Sequence, residues 1–537
     1  TNRQFAKAFE PLRSWKTRKG VRTEIKCVED IYIEYSSPKD PAPIKQFLYD
    51  CYKNRGLKYA LLGGNDAVVP IFMCYGIKPI NSKDSVPTDL YYACFEGSFD
   101  WNKDGDNRKG EKEDNINCIP QIYVTRIPAI NKGQIEAFIS KVIGYERGDD
   151  LEITPEQQHS ILLTGGQLSP YICVPDLKED AQCQSEKFFK SCFTSETAIT
   201  CTELFNSVYD QNILTQNTLA AELSKGYKYV SVNCHGYVDS WYTIYKNFFN
   251  PKGLLLIDNK SFSIITTSAC HTSRFDIPAL DFATLSITDG LGSMFMGRES
   301  TGVVAYVGSS REGISILNPH ELGPSLMYES EFYKGIYDNS FKPRSYGECT
   351  ARMKIKYISK INENSDYRWL QFSINPFGDP EMPLYKSIRR KPYIPSIERT
   401  EKGIKVAGSS SSSLFKPSVT VAVMSLEDEG RSYYKVLRGT PDKEFDCGDM
   451  DVSVCVIRDG HVPYMTVVKA DTEYIQNQTF DSDIEISRKK VVIGENVTTR
   501  KEKGKVEFRK GKISIEAEET VIESGTEIGS EAEFQIK

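Results

Sequence analysis

A histidine and a cysteine each follow a short apolar run, and together they could serve as a base and a nucleophile. His235 comes after residues 229–233, and Cys270 comes after residues 262–267. A cysteine attacks as its thiolate, and a neighbouring imidazole can take the thiol proton and later pass it to a leaving amine. The chain has only five histidines in 537 residues. Few other pairs could therefore perform this chemistry.

Taken singly, a buried cysteine is usually an inert small hydrophobic residue, and a lone histidine is usually structural. The occurrence of both at predicted strand ends favours the catalytic interpretation. Gly236 would let the backbone approach a substrate carbonyl closely, and the N–H groups of Gly236 and Cys270 are predicted to form an oxyanion hole. His271 is adjacent to the nucleophile, but neighbouring side chains on an extended segment point apart. His235 is therefore the preferred base.

The apolar runs that deliver these residues predict an α/β fold with crossover helices between parallel strands. Continuously apolar strands are typical of parallel strands buried on both faces, and ligands of such sheets bind at the carboxyl ends. The predicted strands are 23–28, 59–62, 121–125, 160–164, 229–233, 262–267 and 302–308, and the predicted helices are 5–19, 43–55 and 132–146. The two candidate residues should thus meet at one sheet edge.

Beyond about residue 390 the pattern changes to short alternating strands. Residues 402–407, 409–413, 419–424 and 451–458 predict an antiparallel sandwich, and residues 513–518 show strict alternation. From residue 471 onward, short Val/Ile/Glu/Lys strands with Gly turns predict a small β-structure or an attachment module.

Composition excludes several classes of function. The net charge is −6 and the basic residues do not gather in one segment, which argues against a nucleic-acid surface. No apolar run approaches the roughly 20 residues that a membrane span requires. Fourteen cysteines occur without a CxxC pair, so a structural zinc cluster is not expected. The chain begins inside a predicted helix, so the lack of a signal peptide says nothing about its location.

Residues 100–111 match the pattern of an EF-hand calcium loop. Hard oxygen ligands at alternate positions, with a glycine for the sharp turn, suit Ca²⁺. The predicted ligands are Asp100, Asn102, Asp104, Asp106 and Glu111, with Gly105 at the turn. Tyr91 and Tyr92 predict a strand before the loop, so paired EF-hand helices are not expected. A solvated acidic loop is the alternative interpretation.

The order of His-Gly after one strand and Ala-Cys after the next resembles the active site of gingipain-type cysteine peptidases, in the caspase and legumain clan. Similar blocks, among them YALLGGNDAVVP, PQIYVTRIPA and NPFGDPEMPLY, run in the family's order through about residues 1–388. The resemblance implies a caspase-like catalytic domain of two α/β subdomains, followed by an Ig-like β-sandwich. The expected domains are 1–150 and 151–390 for the two subdomains, 391–470 for the sandwich and 471–537 for a β-rich tail.

The resemblance also implies a secreted or cell-surface endopeptidase of bacterial type that acts on protein or peptide substrates. Its C-terminal region is a candidate for cell-surface attachment, and relatives often bind calcium. The family's specificity aspartate corresponds to Asp180, which would favour Arg or Lys at P1 through a charge-assisted hydrogen bond. A surface acid on a helix is the alternative for Asp180.

The sequence departs from the family pattern at two places. The strand that precedes the opening helix in gingipains would lie before Thr1, and Gln167 stands where an acid should orient the histidine. Asp239 is a nearby carboxylate of undefined role. The alternatives to hydrolysis are a sortase-like transpeptidase of the same family and a catalytically dead, calcium-stabilised adhesin or binding protein. Retention of His235 and Cys270 argues against the dead form.

Overall fold

A computed structural model describes residues 1–37, 39–77, 83–151, 156–170, 172–173, 177–193, 197–276, 290–338, 345–408 and 417–537. The predicted strand at 409–413 lies outside these described residues. The chain divides into two compact units. The first contains Thr1–Arg13 and Glu24–Lys391, and the second contains Ser14–Thr23 and Pro392–Lys537.

The described helices and the first fifteen strands precede Lys391. The helices are α1 (Arg3–Ala6), α2 (Glu10–Arg18), α3 (Val28–Glu34), α4 (Pro41–Arg55), α5 (Lys132–Arg147), α6 (Asp180–Cys192), α7 (Gln216–Ser224), α8 (Pro251–Leu254), α9 (Leu291–Met296), α10 (Pro324–Tyr337), α11 (Tyr346–Ile355) and α12 (Ser365–Ser373). The strands are β1 (Tyr59–Gly63), β2 (Phe72–Ile77), β3 (Lys83–Thr88), β4 (Tyr123–Ile127), β5 (Ser160–Gly165), β6 (Ile172–Cys173), β7 (Lys178–Glu179), β8 (Thr200–Leu204), β9 (Tyr229–Asn233), β10 (His235–Tyr237), β11 (Ser240–Tyr242), β12 (Asn247–Phe249), β13 (Ser263–Thr267), β14 (Val303–Ser309) and β15 (Ile374–Gly378).

The first unit is built on one eight-stranded sheet in the order β1-β4-β15-β14-β13-β9-β5-β8. The strands β5, β9, β13 and β14 are parallel neighbours, and every residue in them is buried. β15 is antiparallel to β14 and parallel to β4, so it joins the strands of the two predicted subdomains. The predicted α/β architecture with a largely parallel sheet is confirmed.

Local sequence signals explain where the flanking helices begin and end. The Asp40 side chain accepts a hydrogen bond from the N–H of Ala42 at the start of α4, and Pro41 occupies the first helical position. Gly56 ends α4 in the left-handed conformation. Such caps satisfy backbone groups that the helix itself leaves unpaired.

Two short predictions about the first unit are wrong. Residues 23–28 are not a strand, because residues 21–27 have no sheet partner and Val28 already opens α3. Ile25 packs on the core without strand pairing. Tyr91 and Tyr92 lie in a 3-10 turn, where burial of their rings, rather than pairing with a strand, accounts for the apolar signal.

The second unit is all-β in its elements after Pro392. Its strands are β16 (Ser396–Thr400), β17 (Gly403–Ala407), β18 (Val419–Ser425), β19 (Tyr434–Gly439), β20 (Lys443–Phe445), β21 (Val452–Arg458), β22 (Tyr464–Val468), β23 (Thr472–Ile475), β24 (Gln478–Phe480), β25 (Ile484–Ile493), β26 (Val506–Ile522) and β27 (Thr526–Ile536). Two antiparallel sheets, β16-β17-β20 and β19-β18-β21-β22, enclose an apolar core as the sandwich prediction requires. The last five strands form a parallel sheet with a core of its own.

Among the described residues, no helix combines the length and apolar character needed to cross a membrane.

Candidate active site

Four parallel strands deliver the candidate residues to one edge of the main sheet. The registers pair Thr164 of β5 with Val232 of β9, and Val232 with Thr267 of β13. Because these strands run parallel and in register, the segments that follow them come together. The residues that emerge there are Leu168 after β5, His235 after β9, Cys270 after β13 and Gly313 after β14.

These segments enclose a cavity of about 340 Å³. Its described lining includes the predicted His235, Cys270 and Asp180, together with Glu312 and residues 168–169. The three residues singled out by the sequence are therefore brought into one site. The cavity is also bordered by Ser315, Ile316 and Leu317.

The Cys270 sulfur sits among backbone N–H groups. The N–H of Gly313 donates a hydrogen bond to Cys270 Sγ over 3.3 Å. Burial raises the pKa of the Cys270 thiol, while the N–H of Gly313 opposes the rise, the Glu312 carboxylate adds to it, and the N–H groups of Gly236 and Cys270 oppose it. A raised pKa favours the protonated thiol over the thiolate.

The His235 ring is held by a main-chain carbonyl. Its Nε2 lies 2.8 Å from the carbonyl oxygen of Leu168. A carbonyl can only accept, so Nε2 carries the proton and the neutral ring keeps a lone pair on Nδ1. Asp239 accepts a hydrogen bond from Ser240 instead. The Leu168 carbonyl, one residue after Gln167, therefore contacts the His235 ring where an orienting acid was expected.

The backbone turns at His271 instead of continuing as an extended strand. Its φ of 60° is left-handed, so the prediction of an extended segment here is wrong. Its Nε2 lies 3.8 Å from Glu312 Oε1, and the described cavity lining does not include His271. The choice of His235 as the base stays a prediction.

Glycine is required at two positions where backbones approach closely. A Cβ on Gly236 would lie 2.4 Å from the carbonyl oxygen of Cys270 and 2.9 Å from its nitrogen. A Cβ on Gly313 would lie 2.0 Å from the carbonyl oxygen of Ser268. Sequence reasoning found Gly236 but missed Gly313. The signal was present, since Gly313 follows a third continuously apolar strand.

Asp180 is a buried acid, with 1% of its surface exposed, and not the surface acid of the alternative interpretation. It is the first residue of α6. Its Oδ1 accepts hydrogen bonds from the N–H groups of Leu168 and Ala181, each over 2.9 Å. Its Oδ2 accepts from the Ser169 hydroxyl over 2.6 Å. Asp180 therefore borders the cavity and also holds the segment after β5.

Buried polar side chains behind the site tie β9 to β13. The Ser268 hydroxyl donates to Asn233 Oδ1 over 2.7 Å. One Glu329 oxygen accepts from Ser231 on β9 and from Thr266 on β13. Burial raises the pKa of Glu329 to about 7, against the effect of these two hydroxyls. Sequence reasoning missed this layer, although polar residues inside apolar strands were its signal.

A disulfide bridge fixes the segment that contains Asp180. Cys173 and Cys183 are joined and lie ten positions apart in the sequence. The bridge links β6 to α6 on either side of the buried acid. No sequence pattern had indicated this pairing.

The predicted calcium loop brings part of its ligand set together. Carboxylate oxygens of Asp104, Asp106 and Glu111 lie within 4.8 Å of one another. Asp100 and Asn102 accept hydrogen bonds from the N–H groups of Asn102 and Asn107, each over 3.0 Å. Asp104 and Asp106 accept local backbone hydrogen bonds in the same way. Three converging carboxylates fit a hard cation such as Ca²⁺. The Asp100 carboxylate is not part of this three-residue cluster.

A buried carboxylate shapes this loop from inside. Asp114 accepts hydrogen bonds from the N–H groups of Lys103 over 2.6 Å and Gly110 over 2.7 Å. Burial raises the pKa of Glu111, and the neighbouring Asp106 raises it further. Both effects disfavour the charged form of Glu111, so a bound cation would relieve them.

Comparison with known proteins gives consistent results. The profile of peptidase family C25 matches residues 1–385. Gingipain R2 of Porphyromonas gingivalis (strain ATCC BAA-308 / W83) is 21% identical over 397 residues, which are 71% of this chain and 44% of the relative. Gingipain R1 of Porphyromonas gingivalis is 22% identical over 382 residues, which are 68% of this chain and 32% of the relative. The chain spans less than half the length of these relatives.

Solved structures of low identity share the fold. The complex of Porphyromonas gingivalis RgpB pro- and mature domains matches with a TM-score of 0.62 at 15% identity, covering 87% of this chain and 98% of that chain. The Arg-specific cysteine proteinase gingipain R (RGPB) also matches with a TM-score of 0.62, at 16% identity, covering 87% and 96%.

The close approach at Gly236 is open to a direct test. Gly236→Ala should lower the thermal unfolding midpoint, because its Cβ would overlap the Cys270 backbone and overpacking costs about 1–3 kcal/mol. Gly133→Ala is the matched control, since the nearest atom to its Cβ is 3.4 Å away. Equal midpoints for the two variants would contradict the contact at Gly236.

Proposed function

The chain belongs to peptidase family C25, and from that premise we propose that it is a cysteine endopeptidase that hydrolyses peptide bonds through Cys270 and His235. The observation that carries the proposal is the placement of both residues in one cavity at the ends of adjacent parallel strands. A nucleophile and a base from different chain segments are brought together there, as covalent catalysis requires.

The proposed reaction proceeds through an acyl-enzyme. His235 Nδ1 takes the thiol proton as Cys270 Sγ attacks the peptide carbonyl carbon, and the carbonyl oxygen becomes an oxyanion. The N–H groups of Gly236 and Cys270 are the donors proposed to stabilise that oxyanion. When the C–N bond breaks, the leaving amine takes the proton from His235. Water then attacks the thioester with His235 as base, which releases the acid and restores the thiol.

The raised pKa of Cys270 makes the base necessary. A buried thiol that stays protonated at neutral pH is a poor nucleophile until its proton is removed. Transfer of the proton to His235 during attack supplies the thiolate.

We further propose that the enzyme cleaves after Arg or Lys. The described cavity lining contains the carboxylates of Asp180 and Glu312 but no lysine or arginine. Both acids favour a cationic side chain, and the burial of Asp180 strengthens the interaction because water screens it little. Resemblance to the family's specificity aspartate supports the same assignment for Asp180.

A secreted or cell-surface location is part of the proposal. The Cys173–Cys183 bridge supports it, because disulfides persist mainly in oxidising compartments outside the cytoplasm.

Calcium binding by the 100–111 loop is proposed as a structural feature of the first unit. The convergence of Asp104, Asp106 and Glu111 supports it. The Arg108 guanidinium is 3.5 Å from Asp106 and 4.0 Å from Glu111, so one positively charged side chain already lies beside this cluster.

Removing either member of the dyad should abolish peptidase activity. Cys270→Ala and His235→Ala are each expected to lower kcat by about 10⁴-fold or more, because nucleophile and base act as one unit. The measurement is hydrolysis of fluorogenic peptides, and activity of the native protein is expected in the culture medium or at the cell surface.

Matched controls for the dyad are Cys201→Ser and His320→Ala, which change the same residue types away from the cavity. Both should retain activity. Near wild-type turnover by Cys270→Ala or His235→Ala would show the dyad to be wrong.

The P1 preference is tested with peptides that carry Arg, Lys, Asn or Asp at P1. Arg and Lys are expected to exceed Asn in kcat/KM by about 100-fold or more, because a neutral side chain leaves the buried carboxylate unmatched. Asp180→Asn should reduce this preference while alkylation of Cys270 by small reagents persists. A wild-type preference for acidic or small residues would refute the assignment of Asp180.

Removing calcium should lower the thermal midpoint of the protein. A ligand that binds only the folded state stabilises it by mass action, so EDTA is expected to destabilise and added Ca²⁺ to restore the midpoint. Glu111→Ala should lose this response, whereas Glu113→Ala, an exposed acid outside the cluster, should keep it. An unchanged wild-type midpoint in EDTA would rule the site out.

A further inference from the structure

We propose that Asp180 positions the catalytic base, because it holds the Leu168 backbone whose carbonyl orients the His235 ring. The inference rests on the proposed function, since it takes His235 as the base. It adds to Asp180 a role that does not depend on the side chain at P1.

The connection runs through a single residue. Asp180 Oδ1 accepts the Leu168 N–H over 2.9 Å, and the Leu168 carbonyl oxygen lies 2.8 Å from His235 Nε2. On the other side of that carbonyl, the Ser169 hydroxyl donates to Asp180 Oδ2 over 2.6 Å. The carboxylate thus binds the Leu168 N–H and the Ser169 hydroxyl, on either side of the carbonyl oxygen that contacts the imidazole. The position of the Asp180 carboxylate therefore influences where the Leu168 carbonyl holds the His235 ring.

Asp180 itself is fixed by its surroundings. It opens α6, and the next carbonyl, that of Ala181, accepts a hydrogen bond from Asn233 Nδ2 over 3.2 Å. Asn233 ends β9, the strand that leads to His235. The Cys173–Cys183 bridge closes the same segment. Asp180 and the His235 ring are therefore both connected to the end of β9.

The His235 side needs this support. His235 lies at the start of the β10 hairpin and is exposed, so packing alone does not fix its ring. A base must hold its nitrogen within hydrogen-bond reach of the proton that it abstracts. A displacement of about 1 Å by a change away from the chemistry can cost about 100-fold in rate.

The geometric role and the charge role of Asp180 can be separated by substitution. Asp180→Asn keeps an oxygen for the Leu168 N–H and an amide that can donate to the Ser169 hydroxyl, but it loses the charge. Asp180→Glu keeps the charge and moves the carboxylate by one methylene. Asp180→Ala removes both. Positioning predicts that Asn rescues what Ala and Glu lose.

The test measures alkylation of Cys270 by iodoacetamide against pH, without substrate, on the full chain. Mass spectrometry assigns the labelled cysteine, and His235→Ala provides the profile of a site without the imidazole. Asp180→Ala and Asp180→Glu are expected to move toward that profile and to lose about 100-fold in kcat toward every P1 residue. Asp180→Asn should keep the wild-type profile and lose only the preference for Arg and Lys. Glu186→Gln is the control, because this acid on the same helix α6 accepts a hydrogen bond from Lys178 instead, and it should match wild type.

Several results would overturn the inference. Wild-type profiles for both Ala and Glu variants, with unfolding midpoints that show them folded, would remove the positioning role. An Asn profile shifted as far as the Ala profile would show that charge, not geometry, matters. If wild type cleaves no peptide, the proposed function fails, while the alkylation profiles still decide the role of Asp180. If His235→Ala matches wild type, the dyad and the positioning role both fail.

Discussion

The site depends on the shared register of four parallel strands. Because β5, β9, β13 and β14 end at one edge, segments far apart in sequence emerge within reach of one another. Burial of every residue in these strands leaves little freedom for the backbone to slip, since a shift of one residue would reverse all side chains. The proposed catalytic residues follow within a few positions of the strand ends. The fixed register of the strands therefore fixes the positions of the residues in the site.

Polar groups at the strand ends surround the proposed catalytic residues. The sulfur of Cys270 is buried among backbone donors, and the base is aligned by a carbonyl rather than by a carboxylate. Two buried acids support these groups through other residues. Asp180 accepts a hydrogen bond from the segment after β5, and Glu329 accepts from side chains on β9 and β13. Desolvation raises the pKa of the Cys270 thiol, so its nucleophilicity depends on a base that can take the proton.

Much of this arrangement could be predicted from residue types. Continuous apolar runs revealed the strands, and scarce histidines made His235 conspicuous. The carbonyl of Leu168 could not be predicted, because every residue carries one and its use depends on three-dimensional placement. Residues 23–28 failed for a related reason, since alternation cannot show whether a partner strand exists. In the calcium loop, spacing identified five possible ligands, and the carboxylates of Asp104, Asp106 and Glu111 converge.

The position of β15 has a consequence for how the chain matures. β15 comes last of the main-sheet strands in sequence, yet it lies between β4 and β14. Until the ribosome has released this segment, β4 and β14 both present open edges that other chains can pair with. The strands that carry Cys270 and His235 are then already synthesised, but the sheet around them is unsealed. Insertion of this late strand therefore delays completion of the main sheet until near the end of the first unit.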